Sequence, residues 1–329
     1  MAARPVLTRE HARRLALHAQ GLALPPARGR PSAGAVAATI EHLGAVQLDP
    51  ISAVARSPLL VLHARLGAGF QEEELDAAIH SDRSCFDYWA HDASVVPVAD
   101  LPLHRWQQRR HLALDTARSQ RLRAWMEANV PFADAVLADL REHGPLRACD
   151  LEDHSAEPWR WGYWTDEVSS RQTVARMLQL LWMTGRVGVA GRRGIERLWD
   201  VFERCLPPGA LAAADAAPLC DREVTERATR RALGMLGVAR SAHITRHFTR
   251  GRYPGLAEVL AGGVRTGELR EVEVEGCRGV WFALAETLER LDELEPGRRT
   301  VALSPFDNLL CDRARAAELF GFDHRLEIY

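Results

Sequence analysis

Apolar and polar positions along this chain follow helical spacing over most of its length, with short strand-like runs between. Thr8 is placed to cap a helix running to about Gln20, with Leu15, Leu17 and Leu22 near its apolar side and Gly21 as its stop. Segment 23–31, with three prolines and two arginines, predicts a loop. Ser32 caps a second helix, Ala33 to Leu43, which Gly44 ends. The apolar run Ala45–Leu48 then reads as a short strand. Helical stretches around Ile51–Arg56 and Leu59–Leu66 follow, with Pro58 separating them. Gln71–His80 reads as an acidic helix, Phe86–Ser94 as an aromatic cluster closing on a polar turn, and Leu101–Met126 as an arginine-rich helix.

The remainder of the chain repeats itself. Gly144-Pro-Leu-Arg-Ala-Cys-Asp-Leu151 and Gly237-Val-Ala-Arg-Ser-Ala-His-Ile244 each follow an amphipathic helix, Phe132–His143 and Val224–Leu236. Downstream, Gly191-Arg192-Arg193-Gly194 and Gly276-Cys277-Arg278-Gly279 each lie between two β-rich runs. Helix, turn, helix, helix and β-hairpin in that order are the parts of a winged helix. In such a module the hairpin lies along a nucleic-acid backbone, so Arg193 and Arg278 at the tips are candidate phosphate contacts. Winged helices also serve as protein-interaction modules, and the pattern does not choose between the two. Trp159-Arg-Trp-Gly-Tyr-Trp164 is either a base-stacking platform or a packing plug, and the latter is the commoner use.

Composition narrows the chemistry. At 329 residues the chain is long for a single core and predicts two or three domains. The formal net charge is −2, so a nucleic-acid surface has to come from local clustering. All 42 basic residues are arginine; there is no lysine. A Schiff base therefore has no side-chain amine to form on, while planar donors suited to phosphate are abundant. Cys85, Cys149, Cys205, Cys220, Cys277 and Cys311 lie far apart with no C-x-x-C, and no H-E-x-x-H occurs among the 13 histidines. No metal and no cofactor is expected. No run approaches the roughly 18 apolar residues of a spanning helix, and Met1–Leu7 holds no signal-peptide core. A soluble, cytoplasmic protein is expected.

The segment that draws these features together is Val46-Gln-Leu-Asp-Pro50. In extended backbone, residues two apart point the same way, so Gln47 and Asp49 share a face while Leu48 points to the core. An amide beside a carboxylate can hold and polarise one water. The same residues also read as an ordinary helix start, with Asp49 as N-cap and Pro50 in the first turn. His91 and Asp92, after the aromatic cluster, read equally as a satisfied turn.

Four stretches resemble the AlkZ/YcaQ family of winged-helix DNA glycosylases: Leu43-Gly-Ala-Val-Gln-Leu-Asp-Pro-Ile-Ser-Ala-Val-Ala-Arg56, Tyr88-Trp-Ala-His-Asp-Ala-Ser94, Leu303-Ser-Pro-Phe-Asp-Asn-Leu-Leu310 and Leu319-Phe-Gly-Phe-Asp-His-Arg-Leu-Glu-Ile-Tyr329. The resemblance implies a mostly α chain with small β-hairpins (α+β), built as three tandem winged-helix domains around a concave DNA-binding channel. Their expected bounds are 1–128, 129–220 and 221–329, the third shortened at its C-terminus. Family members continue past the Glu-Ile-Tyr motif, whereas this sequence stops at Tyr329. The family's catalytic motif falls on Gln47, Leu48 and Asp49, the Gln/Asp type. Asp92 stands where the family has Glu.

The activity implied is excision of alkylated purines, mainly N7-alkylguanine, and unhooking of N7-linked interstrand crosslinks. Gln47 and Asp49 are the catalytic candidates, and Arg56, His91, Arg192, Arg193 and Arg278 the DNA-binding ones. The partner is double-stranded DNA carrying alkylated or crosslinked purines, bound by a monomer without a membrane. N7 alkylation makes the base a cationic leaving group, and cleavage builds positive charge on the sugar. A carboxylate, ionised at neutral pH, opposes that charge and orients water. Without lysine the enzyme is expected to be monofunctional, with an open site, because a crosslinked base cannot swing into a deep pocket. The rival reading is a non-catalytic winged-helix DNA-binding protein or transcriptional regulator. A two-metal nuclease ranks lower, since no carboxylates cluster.

Overall fold

The computed structural model describes residues 4–49, 51–52, 54–113, 116–159, 170–247 and 253–324. In chain order it begins with strand β1 (Val6–Leu7), helices α1 (Arg9–Ala19) and α2 (Ala33–Leu43), strand β2 (Val46–Gln47), helices α3 (Ser57–Leu66) and α4 (Glu72–Asp76), and strands β3 (Cys85–Trp89) and β4 (Ala93–Pro97). Helices α5 (Leu101–Arg110), α6 (Ala117–Ala128), α7 (Val130–His143) and α8 (Ser170–Met183) follow, then strands β5 (Val187–Arg193) and β6 (Glu196–Val201) and helix α9 (Ala210–Ala216). The last stretch carries α10 (Asp221–Leu236), α11 (Ser241–Arg246), α12 (Leu256–Thr266), β7 (Leu269–Val274), β8 (Trp281–Leu284), α13 (Ala285–Glu289) and α14 (Arg313–Phe320). The chain is thus mostly helical with small sheets. Among the described residues no helix is long and apolar enough to cross a membrane.

Local chemistry accounts for the first helices. Thr8 Oγ1 accepts the amide of His11 at 3.1 Å, and Ser32 Oγ that of Ala35 at 3.2 Å, each satisfying an orphan donor of a first turn. Gly44, at φ 70°, ends α2 in the left-handed conformation that only glycine adopts freely. One prediction fails. The described residues between 51 and 56 are not helical, and α3 starts at Ser57 with Pro58 inside its first turn rather than between two helices. Proline fits there because its missing N–H would have been unpaired anyway. The long arginine-rich stretch is likewise two helices, α5 and α6.

The chain divides into two compact units, Met1–Ala78 with Trp89–Pro97 and Leu219–Tyr329, and Ile79–Tyr88 with Val98–Pro218. The Gln47 segment shares the first unit with β1 and with α10 to α14.

In the first unit β1 runs parallel to β7, with the amides of Glu273 and Glu275 donating to Pro5 and Leu7, both at 2.9 Å. Strands β7 and β8 pair antiparallel. Leu7, Leu15, Val272, Val274, Trp281 and Leu319 share one core around this sheet. Each large apolar side chain so buried stabilises the fold by about 1.5–3 kcal/mol. The chain's first strand is thereby held by its last third.

The second unit is centred on the β5–β6 hairpin. Tyr88 Oη donates to the carbonyl of Met183 at 2.8 Å, and Trp182 Nε1 to that of Asp87 at 3.0 Å. Trp159 is buried with its ring edge-on to Trp125, centroids 5.2 Å apart, and with the Arg176 guanidinium 4.5 Å from its centroid. That residue is packing, while the rest of the aromatic run to Trp164 lies outside the described residues.

The internal repeat is a repeat of geometry. Leu146 exchanges backbone hydrogen bonds with Trp199 on β6, and Ala239 does so with Phe282 on β8. One residue later, the amide of Arg147 is bonded to Asp150 Oδ2 at 3.0 Å and that of Arg240 to His243 Nδ1 at 3.2 Å, opening a 3-10 turn in one case and α11 in the other. A helix and a β-hairpin follow each.

Candidate active site

Strand β2 pairs antiparallel with β4, Val46 opposite Val95 and Gln47 opposite Ser94, and the amide of Leu48 extends the ladder to the carbonyl of Ala93 at 2.7 Å. Leu48 is half-buried rather than a core residue. The turn entering β4 is held by its own groups. The amide of Ala90 donates to the carbonyl of Asp92 at 2.9 Å, Ala93 donates to Asp92 Oδ1 at 2.8 Å, and Ser94 Oγ to the carbonyl of Asp92 at 2.9 Å.

This turn presents His91 to the motif. His91 Nε2 lies 3.3 Å from Gln47 Oε1. A carbonyl oxygen only accepts, so the proton of this bond belongs to the imidazole. Gln47 is buried but for 8% of its surface. Asp49 is half-buried, and its Oδ1 accepts the amide of Ile51 at 2.8 Å, the i to i+2 pattern of an Asx turn. It caps no helix. Among the described residues none donates a hydrogen bond to Oδ2.

The support comes from far along the chain. Asn308 Nδ2 donates to the carbonyls of Leu43 at 3.3 Å and Ala45 at 2.8 Å, gripping the backbone just ahead of Gln47. The preceding residue, Asp307, takes both prongs of Arg65 from α3, at 2.6 and 3.0 Å, with both side chains buried. His247 is buried, its Nε2 3.2 Å from Met235 Sδ. Burial first, then His91 and Arg315, push His247 down to about 3, so it is neutral at physiological pH.

An apolar cleft of about 410 Å³ opens just past Asp49, lined by Ile51, Val54, Ala55, Leu60, Leu303 and Phe306 among others. A larger one, about 790 Å³, lies between α10 and α12 with charged walls, and contains neither Gln47 nor Asp49. Among the described residues no group of three or more His, Cys, Asp or Glu is placed to hold a metal.

The five candidate DNA-binding residues separate. Arg56 meets the carboxylate of Glu72, and Arg192 that of Asp87. Both are already neutralised within their own units, which the motif-level reading did not foresee. His91 faces Gln47. Arg193 and Arg278 remain exposed beside hairpin tips, with no ion pair among the described residues. Gly194, at φ 63°, makes the first of these turns possible, and Ile195 next to it is 96% exposed. Two arginines of α5 meet acid as well: Arg105 binds Asp215 through Nε and Nη2 at 2.8 and 2.9 Å, and Arg109 reaches the same carboxylate at 3.3 Å. Sequence reasoning missed Arg65, His247, Asp307 and Asn308 as parts of the site. Asp307 and Asn308 sit in one of the four resembling stretches, yet nothing local names their partners.

Two comparisons extend the geometry. Among solved structures the chain is similar to the DNA glycosylase AlkZ of Streptomyces sahachiroi, with a TM-score of 0.61 at 17% identity, covering 96% of this chain and 82% of that one. At such identity the likeness is one of fold. A family model described as DNA glycosylase AlkZ-like matches residues 40–329, the stretch that holds the Gln47 segment, the turn of His91 and the Asp307-Asn308 support. The chain belongs to the AlkZ-like DNA glycosylase family.

Proposed function

We propose that this protein is a monofunctional glycosylase that hydrolyses the N-glycosidic bond of N7-alkylated purines in double-stranded DNA, including those forming interstrand crosslinks. The single observation that carries the reading is the state of Asp49. One carboxylate oxygen is pinned by the amide of Ile51 and, among the described residues, nothing donates to the other, two residues from an amide that His91 holds. A helix-capping aspartate would have spent its side chain on a first turn, and this one has not.

The chemistry then follows from charge. The C1′–N9 bond breaks with its electron pair going to the cationic purine, which leaves neutral. The sugar is left with oxocarbenium character, which the Asp49 carboxylate stabilises across a short gap. Water held by Asp49 and Gln47 adds to C1′ and passes a proton to the Asp49 carboxylate, which returns it to solvent, leaving an abasic site. A group positioned for acid–base work contributes about 10²–10⁴-fold, a fitting contribution when the leaving group is already activated. The two hairpins act as wings of winged-helix modules, with Arg193 and Arg278 against phosphates.

Duplex DNA containing 7-methylguanine, incubated with wild type and Asp49→Asn, tests this when free base and strand breaks are scored separately. Wild type is expected to release base without cutting the strand, and Asp49→Asn to lose release. Full activity in the variant would remove Asp49 from its role. Binding without any base release by wild type would leave a DNA-binding protein.

A further inference from the structure

We infer that His91 is a positioning residue for Gln47, fixing which end of the Gln47 amide faces the reacting groups. The inference rests on the glycosylase reading for its catalytic consequence, but not for its structural content.

A glutamine amide can sit in two orientations that exchange oxygen and nitrogen. The contact of 3.3 Å between His91 Nε2 and Gln47 Oε1 selects one. In the other, the amide NH2 would face Nε2, which could accept only with the imidazole proton moved to Nδ1, so the amide orientation and the His91 tautomer are set together. With Oε1 held by His91, the amide keeps its two N–H groups and one carbonyl lone pair for other partners. The imidazole is in turn held. Its turn is tied through Asp92 to Ala90, Ala93 and Ser94, and Ser94 is the register partner of Gln47, so histidine and glutamine sit on paired backbone. Gln47 itself is buried, so bulk water cannot replace the His91 bond without a void being opened. A phosphate contact, the role suggested by sequence, would require Nε2 to leave Gln47.

Two measurements test this. In long-range proton–nitrogen spectra of the wild-type protein at neutral pH, His91 is expected to carry its proton on Nε2, and Gln47→Leu to abolish that preference. A proton resident on Nδ1 in wild type would overturn the inference whether or not the protein cleaves any substrate. In single-turnover assays on 7-methylguanine duplex, His91→Phe should lower the rate about tenfold to a hundredfold, the usual penalty for a misplaced reacting group. DNA affinity should stay within about twofold, because no phosphate contact is lost. His91→Gln, whose amide N–H reaches where Nε2 stood, should recover most of the rate, and His91→Phe should add nothing once Gln47→Ala is present. Weakened DNA binding with an unchanged saturated rate would make His91 a phosphate ligand. Multiplicative losses in the double variant would make it independent of Gln47. A wild type that shows the Nε2 tautomer but releases no base would sink the glycosylase reading and leave the His91–Gln47 pairing standing.

Discussion

Arg65 grips Asp307 with two hydrogen bonds, 2.6 and 3.0 Å, in a pair of which almost nothing reaches solvent. The guanidinium also donates to the carbonyls of Gln20 at 2.9 Å and Val61 at 3.0 Å, so little of it is left unpartnered. Breaking such a pair from one side leaves an uncompensated buried charge. Asp307→Asn is therefore expected to destabilise the protein by about 3–5 kcal/mol. Chemical denaturation of the two proteins measures it, and a loss under about 1 kcal/mol would mean that the pair is screened by water.

Asn308 next to it bears on rate. Asn308→Ala removes both hydrogen bonds to the carbonyls of Leu43 and Ala45. We expect a stability loss of about 1–3 kcal/mol with an excision rate, measured on the folded fraction, that falls more than DNA affinity does. Equal losses in both would mean that the asparagine acts on the whole DNA surface rather than on the motif.

The hairpin tips predict salt dependence. Arg193→Ala and Arg278→Ala should each weaken DNA binding and lower the slope of log affinity against log salt by about 1. Arg192→Ala and Arg56→Ala should leave that slope alone, since Asp87 and Glu72 already neutralise them. A slope change on Arg192→Ala equal to that of Arg193→Ala would show that the pair with Asp87 opens on DNA.

Two buried histidines predict a response to acid. His247 and His243 are both held near 3, in each case chiefly by burial. Above their ordinary pKa of about 6.5 neither state of the protein binds the proton and the fold is undisturbed. As pH falls from there toward 3, the unfolded chain takes up protons that the folded chain refuses, so stability is lost. The slope approaches about 1.4 kcal/mol per pH unit for each histidine. Denaturation midpoints at pH 7.5 and 5.0 read this, and His247→Gln should flatten the difference. An unchanged difference would mean that His247 gains a solvating partner on protonation.

Absence of lysine gives a chemical prediction. With an abasic product and borohydride, no covalent protein–DNA adduct should form through a side chain. Trapping that survives blocking of the N-terminal amine would contradict it.

Much of this fold was legible where the governing signal is local. Thr8, Ser32 and Gly44 marked helix ends that the structure keeps, and the paired motifs at Gly144 and Gly237 marked two helix–hairpin assemblies. The Gln47 strand was legible from its apolar run. The helix expected at Ile51–Arg56 was not there because Asp-Pro signals a turn as readily as a helix start. Among the described residues Asp49 satisfies only the Ile51 amide, and Val54, 88% exposed, gives such a helix no face to bury. Arg56 and Arg192 looked like phosphate ligands because arginine type says nothing about partner. With slightly more acids than bases, 44 against 42, many guanidinium groups meet a carboxylate of their own chain. Arg65 and Asp307, 242 positions apart, leave no periodic trace at all.

The grip of Asn308 on the carbonyls of Leu43 and Ala45 has a consequence for how the molecule comes into being. A ribosome emits Gln47 and Asp49 well before the asparagine that steadies the backbone ahead of them, 265 and 263 positions after the carbonyls it holds. Until that later stretch has been made and has docked, the two carbonyls lack this partner, so the Gln47 strand takes its final footing only after a contact more than 260 positions away has closed.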